Sequence, residues 1–209
     1  IRALAITGSV AVSSTTKDDD LDLLVITTPN TLWVVRSILL IIALLLGKKR
    51  GFSIQKIFQK KAKQKTKDDW CFNLFLTETC LKIETNKHNL FTAYEVLQID
   101  WLLDKDKLEQ AFDHANNWVL EFIISWSRLD CRKQSRQIAE SKQCWVLQKF
   151  NSTIYLIERK HLVKKNDIPL NNLRLSQAWL HDDLSYKQFL IGWERLYRSA
   201  ATKMLTSGY

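Results

Sequence analysis

Apolar positions fall into runs whose length and spacing separate strands from helices. Ala3–Thr7 (ALAIT) has the length of a short buried strand. Leu21–Thr27 (LDLLVIT) is a second one, apolar on both faces as a central strand is. Small residues from Ser9 to Ser14 predict a short helix or turn, and Thr15–Asp19 a polar loop. Pro29 and Asn30 end the second strand. Thr31 is placed to cap a helix over Leu32–Leu46, with Gly47 as its stop and Lys48, Lys49 and Arg50 complementing its C-terminal dipole. Trp70–Thr77 and Cys80–Glu84 have the pattern of a β-hairpin turning at Glu78 and Thr79.

Beyond residue 88 the period changes from strand-like to helical. Leu90, Phe91, Tyr94 and Leu97 predict an amphipathic helix over Asn89–Gln98, with Tyr94 and Glu95 within reach of a ligand but assigned first to core packing and surface charge. Trp101–Leu103 is expected to be a connector, followed by a helix over Asp104–Trp126. Trp145, Val146, Phe150, Ile154 and Ile157 form one stripe of a helix over Glu140–Lys160. Asn166–Asn172 is a loop, and Gln177–Leu180 and Tyr186–Leu205 are the last helices. The expected fold class is therefore α+β. A small mixed-sheet core with packed helices (residues 1–88) precedes a C-terminal helical region (residues 89–209).

Composition narrows this picture only at some points. Five Gly and two Pro in 209 residues favour long helices with few tight turns. The chain opens at Ile1 and not at Met, as expected of a fragment or of a chain lacking an upstream element. Cys71, Cys80, Cys131 and Cys144 have neither zinc-ligand spacing nor the density of a disulfide framework. Free buried thiols in a reducing cytoplasm are the expectation. The run ILLIIALLL could be mistaken for a membrane span. Counted from Leu32, however, it reaches only about fifteen apolar residues and contains Arg36, against the roughly twenty a bilayer requires. A helix packed on a sheet is expected there, and no membrane span.

The net charge of +9 suits an anionic partner such as a nucleoside triphosphate, nucleic acid or an acidic surface, and equally serves solubility. Much of it lies in Gly51–Lys67, which carries no acid and reads as a solvated connection or a phosphate-contacting arm. His181 beside Asp182 and Asp183 reads as a helix end with an Asp cap.

Candidate chemistry concentrates in Leu4–Thr27. Asp20 and Asp22 sit at the start of the second strand, where residues two apart project to one face, while Leu21 and Leu23 enter a core. Paired carboxylates are a natural seat for Mg2+, which takes a few carboxylates together with phosphate oxygens. Gly8 and Ser9 end the first strand, where a glycine lets backbone approach a phosphate.

A Gly-Ser turn, about ten residues, then Asp-hydrophobic-Asp-hydrophobic resembles the signature of the polymerase-beta-like nucleotidyltransferase superfamily. The stretches CFNLFLTE, NLFTAYEVLQ and ANNWV extend the likeness, towards bacterial proteins with a nucleotidyltransferase domain, over roughly the first 125 residues. The resemblance implies that Gly8 and Ser9 hold the nucleotide phosphates and that Asp20 and Asp22 bind one or two Mg2+ ions. It also implies a third carboxylate on the strand after the long helix, and there this chain has Asn73. An amide can ligate through oxygen but carries no charge and is no base. Asp19, Asp68 and Asp69 are substitutes close in sequence, and Arg36 and Lys17 are candidate triphosphate contacts.

The expected function is Mg2+-dependent transfer of a nucleoside monophosphate from a nucleoside triphosphate to an acceptor, which is a small molecule, an RNA or a protein. Against it stands a catalytically impaired module of the same fold that binds nucleotide or a partner, which Asn73 favours. A nucleic-acid-binding domain rests on charge alone.

Overall fold

A computed structural model describes residues 1–11, 20–48, 69–123, 145–166, 168–180, 190–192 and 195. The basic stretch Gly51–Lys67, the His181–Asp183 trio, Asp19, Asp68 and Lys17, and nearly all of Tyr186–Leu205 lie outside the described residues.

The strands are β1 (Ala3–Thr7), β2 (Leu21–Thr27), β3 (Trp70–Thr77), β4 (Asp100–Asp104) and β5 (Gln177–Trp179). They form one sheet in the order β4-β1-β2-β3-β5. β2 runs parallel to β3 and antiparallel to β1. The helices are α1 (Gly8–Ala11), α2 (Leu32–Leu45), α3 (Leu90–Leu97), α4 (Leu108–Ala115) and α5 (Trp145–Asn166). The protein is thus α+β with a mixed sheet, and β2 occupies the centre.

Each face of the sheet carries its own core. Leu24 and Ile26 of β2 join Ala3, Ala5, Leu74 and Leu76 beneath α3 and α4, packed with Ala93, Val96, Leu108 and Phe112. Leu23 and Val25 point the other way, to Phe72 and Phe75, beneath Leu32, Trp33 and Ala43 of α2 and Leu162 of α5. Burying one such large side chain contributes on the order of 1.5–3 kcal/mol.

Several elements differ from their predicted form. Cys80–Glu84 is not a strand: only a single bridge joins Thr77 to Cys80, and β3 takes its antiparallel partner from β5. Gln177–Trp179, expected to be helical, is therefore a strand, and Trp101–Leu103 is not a connector but the middle of edge strand β4 against β1. The sheet thus crosses the expected boundary at residue 88, drawing two strands from beyond it.

The predicted helix over 104–126 is cut short at Asn116. Its buried amide donates to the carbonyls of Leu81 and Phe112, while its Oδ1 accepts from the Ile83 N–H and the Trp118 indole. A side chain with four such partners holds the chain in a turn that a continuing helix would destroy.

Helix α2 shows the same tertiary control. Thr31 stands at its N-cap position but makes no capping bond, its hydroxyl donating instead to the Thr28 carbonyl. The orphan N–H of Trp33 is satisfied at 2.9 Å by Asn151 Oδ1, from α5. Gly47, at φ +67°, ends the helix as expected. The side of α5 facing α2 carries Asn151, Tyr155 and Glu158, so Trp145, Val146, Phe150 and Ile157 of the predicted stripe are exposed. On α2, Ile38, Ile41, Ile42 and Leu45 also face outward. No described helix is long and apolar enough to cross a membrane.

Arg36 is buried between α2 and α5, paired with Glu158, which also accepts from the Ser37 hydroxyl at 2.5 Å. Burial lowers the Arg36 pKa to about 10. Removing one partner of a buried pair strands the other charge, which costs about 3–5 kcal/mol. Glu158→Ala should lose that much in denaturant unfolding, and Arg36→Met combined with it should recover a large part.

Candidate functional site

The end of β1 and the start of β2 lie side by side, Thr7 opposite Asp22. Gly8 follows directly at φ +70°, in the left-handed region that glycine enters without steric cost. The bend lies against the acid: a Cβ on Gly8 would stand 2.6 Å from Asp22 Oδ2. Only a glycine leaves room here for the carboxylate, so the Gly-Ser turn and Asp22 form one constellation.

The pleat of β2 orients the acids. Leu21 and Leu23 pack on the α2 side, so Asp22 projects to the α3 side. Asp20 immediately precedes the strand and is half-buried. The Leu21 N–H donates at 2.9 Å to the Asp69 carbonyl, tying the approach to β2 against that of β3. Asp69 is itself buried.

Asn73 stands at a break in register. Leu23 pairs with Phe72, but Leu24 pairs with Leu74, leaving Asn73 as the extra residue of a bulge. Bulges re-aim a side chain, and here the result is direct: Asn73 Nδ2 donates to Asp22 Oδ1 at 2.5 Å. Its Oδ1 accepts from the Cys71 thiol at 2.9 Å. Neither Cys71 nor Cys80 is in a disulfide, and each is partly buried.

Glu95 has a different place from the one expected of it. The buried face of α3 is Thr92, Ala93 and Val96, with Leu97 packed at its edge, a rotation from the predicted Leu90, Phe91, Tyr94 and Leu97 stripe. That rotation leaves Tyr94 exposed and Glu95 half-buried, within electrostatic reach of Asp22. Burial pushes the Glu95 carboxyl up to about 8, and the Asp22 charge adds to the rise. A neighbouring acid reached from another element leaves no mark in strand spacing. The one signal available was an acidic residue flanking an apolar helix face.

Arg36 faces the opposite side of the sheet, paired with Glu158, so it is not a triphosphate contact. Among the described residues no group of three or more His, Cys, Asp and Glu side chains is arranged to hold a metal ion. What the site offers a hard cation is oxygen: Asp22 Oδ2 at the glycine bend, with Asp20 two residues before it. That donor type suits Mg2+ and not a soft metal.

No protein-family model, curated protein or solved structure matches this chain.

Two outcomes follow. Gly8→Ala should cost about 1–2 kcal/mol for the left-handed backbone, plus the displacement of Asp22. In unfolding measurements the double variant with Asp22→Ala should cost less than the sum of the single ones. Second, the folded protein holds a proton on Glu95 that the unfolded chain has released. Stability should therefore fall as pH rises from about 4.5 to about 8, and level off above. Glu95→Gln should flatten that part of the profile of thermal midpoint against pH.

Proposed function

We propose that the chain is a Mg2+-dependent nucleotidyltransferase, moving a nucleoside monophosphate from a nucleoside triphosphate to an acceptor hydroxyl or similar nucleophile. One observation carries this reading: the left-handed Gly8 bend lies so close against Asp22 Oδ2 that only a glycine fits between turn and carboxylate. Such a bend brings backbone N–H groups and a carboxylate within one small ligand's span, as a metal-bound triphosphate requires.

The roles divide as follows. The backbone at Gly8 and Ser9, with the Ser9 hydroxyl, binds phosphate oxygens. Asp20 and Asp22 hold the cation, which when bound neutralises charge on the phosphates. The acceptor oxygen attacks the α-phosphorus and gives up its proton to solvent, the bond to the bridging oxygen breaks, and pyrophosphate leaves with that oxygen. Little covalent work falls to the protein, whose contribution is placement and fixed charge. Glu95 supplies an acidic group beside Asp22 from a helix, where strand β3 offers only an amide.

A second reading has its own support. Asn73, at the place where the resemblance implies a carboxylate, donates a hydrogen bond to Asp22. That arrangement suits a module that binds nucleotide or a partner without turnover.

Screening the four triphosphates with Mg2+, scored for thermal shift and pyrophosphate together, separates these. Shift with pyrophosphate release supports the enzyme; shift without release selects the binding module; neither signal sinks both. In the active case Asp20→Asn or Asp22→Asn should lower turnover by about 10²–10³ with the metal-free unfolding midpoint retained.

A further inference from the structure

We infer that Asn73 is a positioning residue for Asp22 and not a third metal ligand, its amide held in orientation by Cys71. The inference rests on the nucleotidyl-transfer reading for its purpose, but the hydrogen bonds that carry it are independent of any ligand.

The two oxygens of Asp22 have different surroundings. Oδ1 accepts from Asn73 Nδ2 at 2.5 Å, and Oδ2 lies at the Gly8 bend. Asn73 therefore grips one oxygen and leaves the other directed to the turn. For Asn73 to serve as a ligand, its carbonyl would have to replace its amino group beside Asp22. Flipping the amide would set Oδ1 against a carboxylate oxygen, two acceptors in contact, and would present the amino group to the Cys71 thiol. The thiol is a donor to Oδ1 at 2.9 Å, so the present orientation satisfies both ends, while the flipped one sets two oxygen acceptors together and leaves the amino group only a weak sulfur acceptor. Asn73 is itself buried, and its backbone carbonyl accepts from the Leu180 N–H at 2.8 Å, which anchors the bulge from the β5 side. Both the backbone and the side chain of Asn73 are thus committed before any ligand arrives.

The two roles predict opposite effects of removing the thiol. If Cys71 orients a clamp, Cys71→Ala lets the amide turn and loosens Asp22. Mg·ATP should then bind about fivefold more weakly, the order expected from losing one neutral hydrogen bond. Cys71→Ser keeps a donor and should bind as the wild type does. If Asn73 were a ligand, freeing its carbonyl from the thiol would tighten binding in Cys71→Ala.

A ligand-free readout accompanies the titration. The Asn73 side-chain amide protons, identified by their absence in Asn73→Ala, should exchange slowly in the metal-free protein and faster in Asp22→Ala. Tighter binding by Cys71→Ala, or amide exchange indifferent to Asp22, overturns the inference. Wild-type protein that protects this amide yet binds no Mg·triphosphate overturns the nucleotidyl-transfer reading, and with it the catalytic purpose given to the clamp.

Discussion

Strand β2 is buried on both faces, and its pleat governs the rest of the molecule. Leu23 and Val25 seal one hydrophobic layer and Leu24 and Ile26 the other. Sliding the strand by one residue would turn each set towards the wrong layer. The same alternation sends Asp22 to the α3 side, beside the Gly8 bend, because its neighbours Leu21 and Leu23 are committed to the α2 side. The candidate site is thus a consequence of core packing: the acid can point nowhere else while those leucines stay buried.

Around that strand, buried polar groups do what propensity does not. Asn151 satisfies the start of a helix on a different element, and Asn116 ends a helix that its apolar pattern would have continued. Asn73 uses a register break to meet Asp22. Asn116 and Asn73 each supply both donor and acceptor, and Asn151 an acceptor, at places where an unsatisfied backbone or side-chain group would cost about 1–3 kcal/mol. The Arg36–Glu158 pair belongs to this set on the far side of the sheet, joining α2 to α5. Its location separates a structural cation from the candidate chemistry.

Burial first, and the nearby Asp22 charge in addition, lead Glu95 to hold its proton to unusually high pH. Partial burial of the Asp22 carboxylate carries a desolvation cost of its own. Asn73, by donating to Asp22, offsets part of that cost without adding charge.

From the residues alone, β1, β2, α2 and α3 were legible, as was the pairing of a Gly-Ser turn with an acid-bearing strand. Period and punctuation are local properties, and Gly47 and Pro29 mark element ends wherever the chain goes. The tertiary structure decided the partners. Gln177–Trp179 becomes a strand because β3 presents an open edge to it. The apolar stripe of α5 lies outward because hydrogen bonds to α2 set which side faces in. Glu95 lies within electrostatic reach of Asp22 because α3 packs with Ala93 buried among leucines and isoleucines of the core. A strand's spacing can place two acids on one face, but which groups converge on them depends on how distant segments share the same buried volume.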